Sequence, residues 1–134
     1  MQNFGTFLAS NPNGVLATVE NGEPRTRVFQ YLWKEGSRAY FCTSNGKDVY
    51  RQLRACPKAS FCTWNPETFE VLSLDGSVHF VNDTRLKARA LDENPPIKGI
   101  YQSPENPVFE LFYLEVEEAR TFSFSQGNAV SRLE

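Results

Sequence analysis

The chain has 134 residues, 40% of them hydrophobic, which suffices for one domain built on a single core. No apolar run approaches the roughly 18 to 20 residues that cross a bilayer, and Met1-Gln2-Asn3-Phe4-Gly5 lacks the basic and apolar regions of a secretory leader, so a cytoplasmic protein without membrane contact is expected. The formal net charge of −2 hides an asymmetry: Arg25 to Lys58 holds eight basic residues against Glu35 and Asp48, which draws an anionic ligand, while the acidic remainder argues against a nucleic-acid backbone as partner.

Phe4, Phe7 and Leu8 recur at helical spacing before Asn11-Pro12-Asn13-Gly14, so the chain opens on a short amphipathic helix ended by turn residues. Gly14 to Val19 reads as a strand. Asn21-Gly22 is a hairpin signal that returns the chain into a long strand from Arg25 to Trp33, and Glu35-Gly36 turns it into a third from Arg38 to Thr43. Beyond Gly46 the period changes: Val49, Leu53 and Cys56 share one face of an amphipathic helix that Pro57 stops. Ala59 to Trp64 is a strand closed by Asn65-Pro66. Two strand-like runs follow between Phe69 and Val81, around a bulge or bend at Asp75-Gly76. Thr84 to Leu91 is helical with Asp83 as N-cap, and Asn94-Pro95-Pro96 breaks it. Val108 to Val116 and Thr121 to Phe124 are the last strands. About six or seven strands joined mostly by hairpins describe a mainly β protein, an antiparallel barrel with peripheral helices.

The segment Tyr40-Phe41-Cys42-Thr43-Ser44-Asn45-Gly46-Lys47-Asp48 carries the chemistry. It runs from a strand through a polar turn into a helix start, where unpaired backbone N–H groups and the helix dipole attract an anion. The hydroxyls of Thr43 and Ser44 add donors, Lys47 adds a charge, and Arg51, one turn further on, offers a second. The three cysteines, Cys42, Cys56 and Cys62, form no CxxC pair and read as reduced, packed thiols; Cys42, near Lys47, is the one to test for reactivity.

Taken in order, Gly14-Val15-Leu16-Ala17-Thr18-Val19 with Asn21-Gly22 and Pro24, Arg27-Val28-Phe29-Gln30-Tyr31-Leu32, Tyr40-Phe41-Cys42-Thr43-Ser44 leading to Lys47, Leu53 to Ala59, Leu74-Asp75-Gly76-Ser77-Val78, and Phe109 to Leu114 resemble the pyridoxamine 5'-phosphate oxidase-like, FMN-binding split-barrel family, and specifically its short general members. That resemblance covers almost the whole chain. It implies an FMN-binding split β-barrel with the cofactor in a groove at a homodimer interface. In this likeness Arg27, Val28, Phe29 and Gln30 border the isoalloxazine ring, Cys42 lies on the strand that leads to the phosphate segment, and Thr43, Ser44 and Lys47 hold the phosphate. The oxidases proper carry a C-terminal extension that binds the substrate phosphate, and no counterpart follows Ser123-Phe124-Ser125-Gln126-Gly127 before Glu134. An FMN-dependent oxidoreductase acting on another small molecule is therefore expected, with nitro, quinone or other aromatic compounds suited to a cleft lined by Phe29, Tyr31 and Trp64. A non-catalytic module that carries or senses flavin, deazaflavin or haem is the alternative.

The remaining candidates have simpler readings. In the alternation Val78-His79-Phe80-Val81, His79 points outward or makes a structural hydrogen bond. Trp33 and Trp64 serve as core or interface anchors or as pocket walls. Arg25 and Arg27 decorate the wet face of a hairpin unless one of them lies by the flavin, where a cation favours the reduced anion. No metal constellation and no Ser-His-Asp or Cys-His motif is present.

Overall fold

The computed structural model describes residues 4–125 and 127–132. Met1, Gln2 and Asn3, read above for a leader, lie outside the described residues, as do Gln126 and Glu134. Four helices and eight strands follow one another along the described chain: α1 (Phe4–Ser10), β1 (Asn13–Glu20), β2 (Glu23–Gln30), β3 (Trp33–Glu35), β4 (Arg38–Ser44), α2 (Asp48–Ala55), β5 (Lys58–Trp64), β6 (Val71–Val81), α3 (Thr84–Asp92), α4 (Pro95–Tyr101), β7 (Phe109–Ser123) and β8 (Gly127–Arg132). The strands form one antiparallel sheet in the order β2-β1-β5-β6-β7-β4-β3, with β8 added along β7.

Local chemistry explains the register. Asn21 and Gly22 both take positive φ, 52° and 78°, the pair of left-handed residues that a two-residue hairpin turn requires, so β1 and β2 pair from Asn13 and Gln30 down to the turn. The sheet then curls until its ends meet. Phe29 on β2 lies edge-on to Phe41 on β4, with ring centroids 6.2 Å apart, although these strands share no ladder. An open seam between β2 and β4 makes the barrel a split one. Leu16, Phe41, Phe61, Leu72, Leu74, Phe112 and Leu114 are fully buried inside it.

Several expected boundaries shift. The long strand expected from Arg25 to Trp33 is two, because Tyr31 and Leu32 leave the β1 ladder: Tyr31 N–H bonds to Pro12 O and Leu32 N–H to Tyr40 O. Conversely, the paired runs expected around Asp75-Gly76 form one strand, and so do the runs expected from Val108 and Thr121. A bulge absorbs the irregularity: Asp75 faces Glu118 while Gly76 faces Val116, leaving Glu117 as the extra residue. Glycine is required there, since a Cβ on residue 76 would lie 1.9 Å from the Glu115 carbonyl oxygen. Asp83 caps α3 as expected, its carboxylate accepting from the N–H of Arg85 and Leu86. α3 stops before Asn94-Pro95-Pro96 as expected, and Pro95-Pro96 also opens α4, because proline at the first helical positions lacks only a donor that would be unpaired anyway. A second apolar cluster of Trp33, Tyr40, Phe109 and Leu111 lies under α3 and α4 on the outer face of the sheet. No described helix is long and apolar enough to cross a membrane.

Candidate functional site

A cleft of about 220 Å3 runs along the seam of the barrel. Arg27, Val28, Phe29 and Gln30 line it from β2, Cys42 from β4, Lys47 and Val49 from the start of α2, and Ile97, Ile100 and Tyr101 from α4. Six of the residues singled out in the sequence thus surround one space. Because β2 ends the sheet, one side of its backbone is free of strand pairing, which leaves peptide N–H and C=O groups for a ligand.

Arg27 is held in place from within the barrel. Its guanidinium donates to Gln52 Oε1 at 2.5 Å, to Thr18 Oγ1 at 2.9 Å and to Leu16 O at 3.1 Å, and Thr18 Oγ1 donates to Gln52 Oε1 at 2.6 Å. Burial lowers the Arg27 pKa, with Asp48 opposing the shift. Arg25, exposed two residues before it, reaches Glu20 at 3.7 Å and does not line the cleft.

The turn into α2 is rigid. Asn45 Nδ2 donates to Pro107 O at 2.8 Å and to Glu110 Oε2 at 3.1 Å, Lys47 N–H bonds to Ser44 O at 3.1 Å, and Gly46 N–H reaches Ser44 Oγ at 3.3 Å. Lys47 occupies the N-cap position, exposed, with no ion pair to any described residue. Thr43 and Ser44 do not line the cleft. Strand alternation turns Thr43 inward, where its hydroxyl is buried without a hydrogen-bond partner among the described residues. Arg51 is committed elsewhere, bonded to Glu20 and 3.3 Å from Asp48, so its charge is largely neutralised; the Arg51 hydrogen bond in turn lowers the Glu20 pKa.

The inner wall is neutral. Burial pushes the Cys42 thiol up to about 12 despite Lys47 nearby, and burial likewise raises the Tyr101 phenol, with Cys42 adding to the shift. A protonated thiol is a poor nucleophile, so this geometry does not make Cys42 reactive. Of the aromatic residues expected around a substrate, only Phe29 lines the cleft. Tyr31 is buried in the core, and Trp64 borders a separate hollow with Pro12 and Pro66. Tyr101 takes their place. The sequence did carry a signal for it: Ile97, Ile100 and Tyr101 follow the helical spacing after Pro95-Pro96. His79 is exposed, stacked on Tyr113 with centroids 5.1 Å apart, and lies outside the cleft. No group of His, Cys, Asp and Glu among the described residues could hold a metal ion.

A split barrel with a cation-bearing cleft along its seam defines a class, the split-barrel proteins. Residues 1–123 match the family model described as pyridoxamine 5'-phosphate oxidase, and the chain belongs to that family. A NimC/NimA family protein from Clostridium acetobutylicum is similar in structure, with a TM-score of 0.85, 26% identity, and 96% of this chain and 88% of that one covered. A pyridoxamine 5'-phosphate oxidase-related, FMN-binding protein from Nostoc punctiforme superposes with a TM-score of 0.64 at 16% identity over 97% and 91% of the chains. A haem-binding protein from Mycobacterium smegmatis gives 0.78 at 22% identity, over 95% of this chain and 55% of that one. No curated protein matches the sequence.

Proposed function

We propose that the chain is a homodimeric, cytoplasmic FMN-dependent oxidoreductase acting on a small aromatic, nitro or quinone-like molecule. The carrying observation is the convergence of Arg27, Val28, Phe29, Gln30, Cys42 and Lys47 on one cleft beside an unpaired strand edge. The donor set fits the cofactor. Val28, Phe29, Ile97 and Ile100 suit a flat ring, the free edge of β2 suits its polar rim, and Lys47 at the helix start suits a phosphate. Bound FMN would supply hydride and electron transfer; the protein supplies position, charge and exclusion of water.

Arg27 would hold positive charge beside the ring without moving, because Gln52, Thr18 and Leu16 fix its guanidinium. Cys42 and Tyr101 would keep the wall uncharged, and Phe29 and Tyr101 offer the aromatic faces on which a substrate would rest. Val28 is 74% exposed and Ile100 71% exposed at the rim. Apolar side chains so placed favour a cover, and a second copy of the chain supplies one that would complete a cleft small for the whole cofactor.

A haem carrier is less well supported in this cleft, since His79 lies elsewhere and the Cys42 thiol stays protonated, which leaves neither residue suited to an axial bond there. The test is direct: protein purified without added cofactor is expected to be yellow, to release FMN on denaturation, to run as a dimer, and to reoxidise with an acceptor after reduction. Colourless protein that fails to bind added FMN would overturn the reading. Bound FMN without turnover would leave the non-catalytic flavin module standing.

A further inference from the structure

A second cavity, of about 520 Å3, lies between Arg54 of the last turn of α2, the end of β6, the first turn of α3, the loop at 104–107 and the start of β7. Its volume falls within the range of roughly 300–1,000 Å3 typical of small-molecule sites. Four charged side chains line it: Arg54 and Lys87 are positive, Glu105 and Glu110 negative. None of the four forms an ion pair with a described residue. Lys87 and Glu110 are both half-buried, where an unpaired charge is costly, yet no ion pair joins them.

The fold keeps them apart. Asn45 Nδ2 donates to Glu110 Oε2 at 3.1 Å and ties that carboxylate to the turn before α2. Ser103 Oγ donates to Glu105 Oε2 at 2.6 Å. Arg54 rests with its guanidinium 4.5 Å from the centroid of the Phe80 ring, its Nε donating to Tyr50 Oη at 3.0 Å. Lys87 stands on α3, which Asp83 caps and fixes. Opposite charges held apart around one polar space complement a molecule that carries both. A plain anion would face two carboxylates, and a plain cation would face Arg54 and Lys87.

We propose that this cavity binds a free α-amino acid as its zwitterion, the carboxylate toward Lys87 and Arg54 and the ammonium toward Glu110 and Glu105. The site is separate from the seam cleft and stands whether or not the cleft holds a flavin. The test titrates the isotope-labelled, full-length protein with pools of the common L-amino acids and then with single members, with propionate and propylamine as ligands bearing one charge each. Saturable amide shifts confined to α3, the loop at 104–107 and the start of β7 are expected. Lys87→Met and Glu110→Gln should each weaken the bound amino acid about tenfold or more, as should loss of either charge from the ligand. Glutamine at 110 keeps an acceptor for Asn45, so the fold is preserved; each variant is checked for wild-type amide dispersion, and either one that folds decides the matter. The proposal is overturned by the absence of saturable shifts up to about 10 mM, where a millimolar binder is largely saturated. Propionate or propylamine binding as tightly as the amino acid, or folded variants that bind unchanged, would overturn it equally.

Discussion

At its first turn α2 borders a cleft walled by Val28, Phe29, Ile97 and Ile100, with Lys47 as a cation that forms no ion pair with a described residue; at its last turn it borders a polar cavity lined by Arg54 and Lys87 together with Glu105 and Glu110. One eight-residue helix thus separates two spaces of opposite character. The apolar face of α2, Val49 and Leu53, packs into the core, so both ends are fixed by the same burial. What differs is the neighbour each end meets: an edge strand and a proline-initiated helix at one, a strand end, a capped helix turn and a polar loop at the other. A shared scaffold therefore does not imply shared chemistry, since each site takes its selectivity from its walls.

Behind Phe29 and Phe80 the two spaces back onto one aromatic wall. Phe112 touches Phe29 beside the cleft, with centroids 5.7 Å apart, and Phe80 beside the cavity, at 5.6 Å. Phe112→Ala should cost about 3–5 kcal/mol of stability in urea denaturation, the range for removing a buried aromatic ring, and should weaken binding at both ends. An effect on one end alone would mean that the rings do not form a common wall. Lys47→Ala comes next. It should weaken FMN by about 1.5–3 kcal/mol, measured by fluorescence titration, while leaving amide shifts at the polar cavity unchanged. Unaltered FMN affinity would remove Lys47 from the phosphate site. Asp83→Ala sharpens the other end: loss of the cap should cost about 1 kcal/mol and speed amide exchange in the first turn of α3, with no change at the cleft.

The last effect, absent at neutral pH, concerns Cys42. Its thiol rises from an ordinary 9.0 to about 12 on burial, so folded and unfolded chains are both protonated at neutral pH and the residue contributes no pH dependence there. As pH climbs past the lower value the unfolded chain releases its proton first, and stability should fall progressively toward the higher one. Urea midpoints that decline more steeply in alkali for the wild type than for Cys42→Ala would show this. Equal slopes would mean that the thiol ionises as freely folded as unfolded.

Much of the first end was legible because its signals are local. Asn21-Gly22 demands the hairpin, the spacing of Val49 and Leu53 demands the helix, and a strand, a polar turn and a lysine bring Cys42 and Lys47 to one edge. Arg51 shows the limit of such reasoning. Helical spacing placed it one turn from Lys47, but its partner Glu20 comes from β1, and no local pattern reveals that pairing. Pro95-Pro96 fits both the end of one helix and the start of another, so the short periodic run of Ile97, Ile100 and Tyr101 behind it was ambiguous. The bulge at Asp75-Gly76 was visible as a glycine, yet only the register with β7 shows that the strand continues through it. The polar cavity was least legible of all, since its charged residues lie far apart in the chain and nothing in their spacing brings them together.

The free edge of β2 has a further consequence, for the behaviour of the chain before its cleft is filled. An unpaired edge is a template for wrong partners, and proteins guard such edges with proline, charge and inward-pointing ionic groups. The first five residues of β2 carry those guards in Glu23, Pro24, Arg25 and the inward Arg27. The last three residues, Val28-Phe29-Gln30, have neither charge nor proline, and all three line the cleft beside Arg27. Whatever fills the cleft also shields the unguarded stretch, so chains produced faster than their ligand is supplied should be lost first to aggregation through this strand, and ligand supply during expression should raise soluble yield.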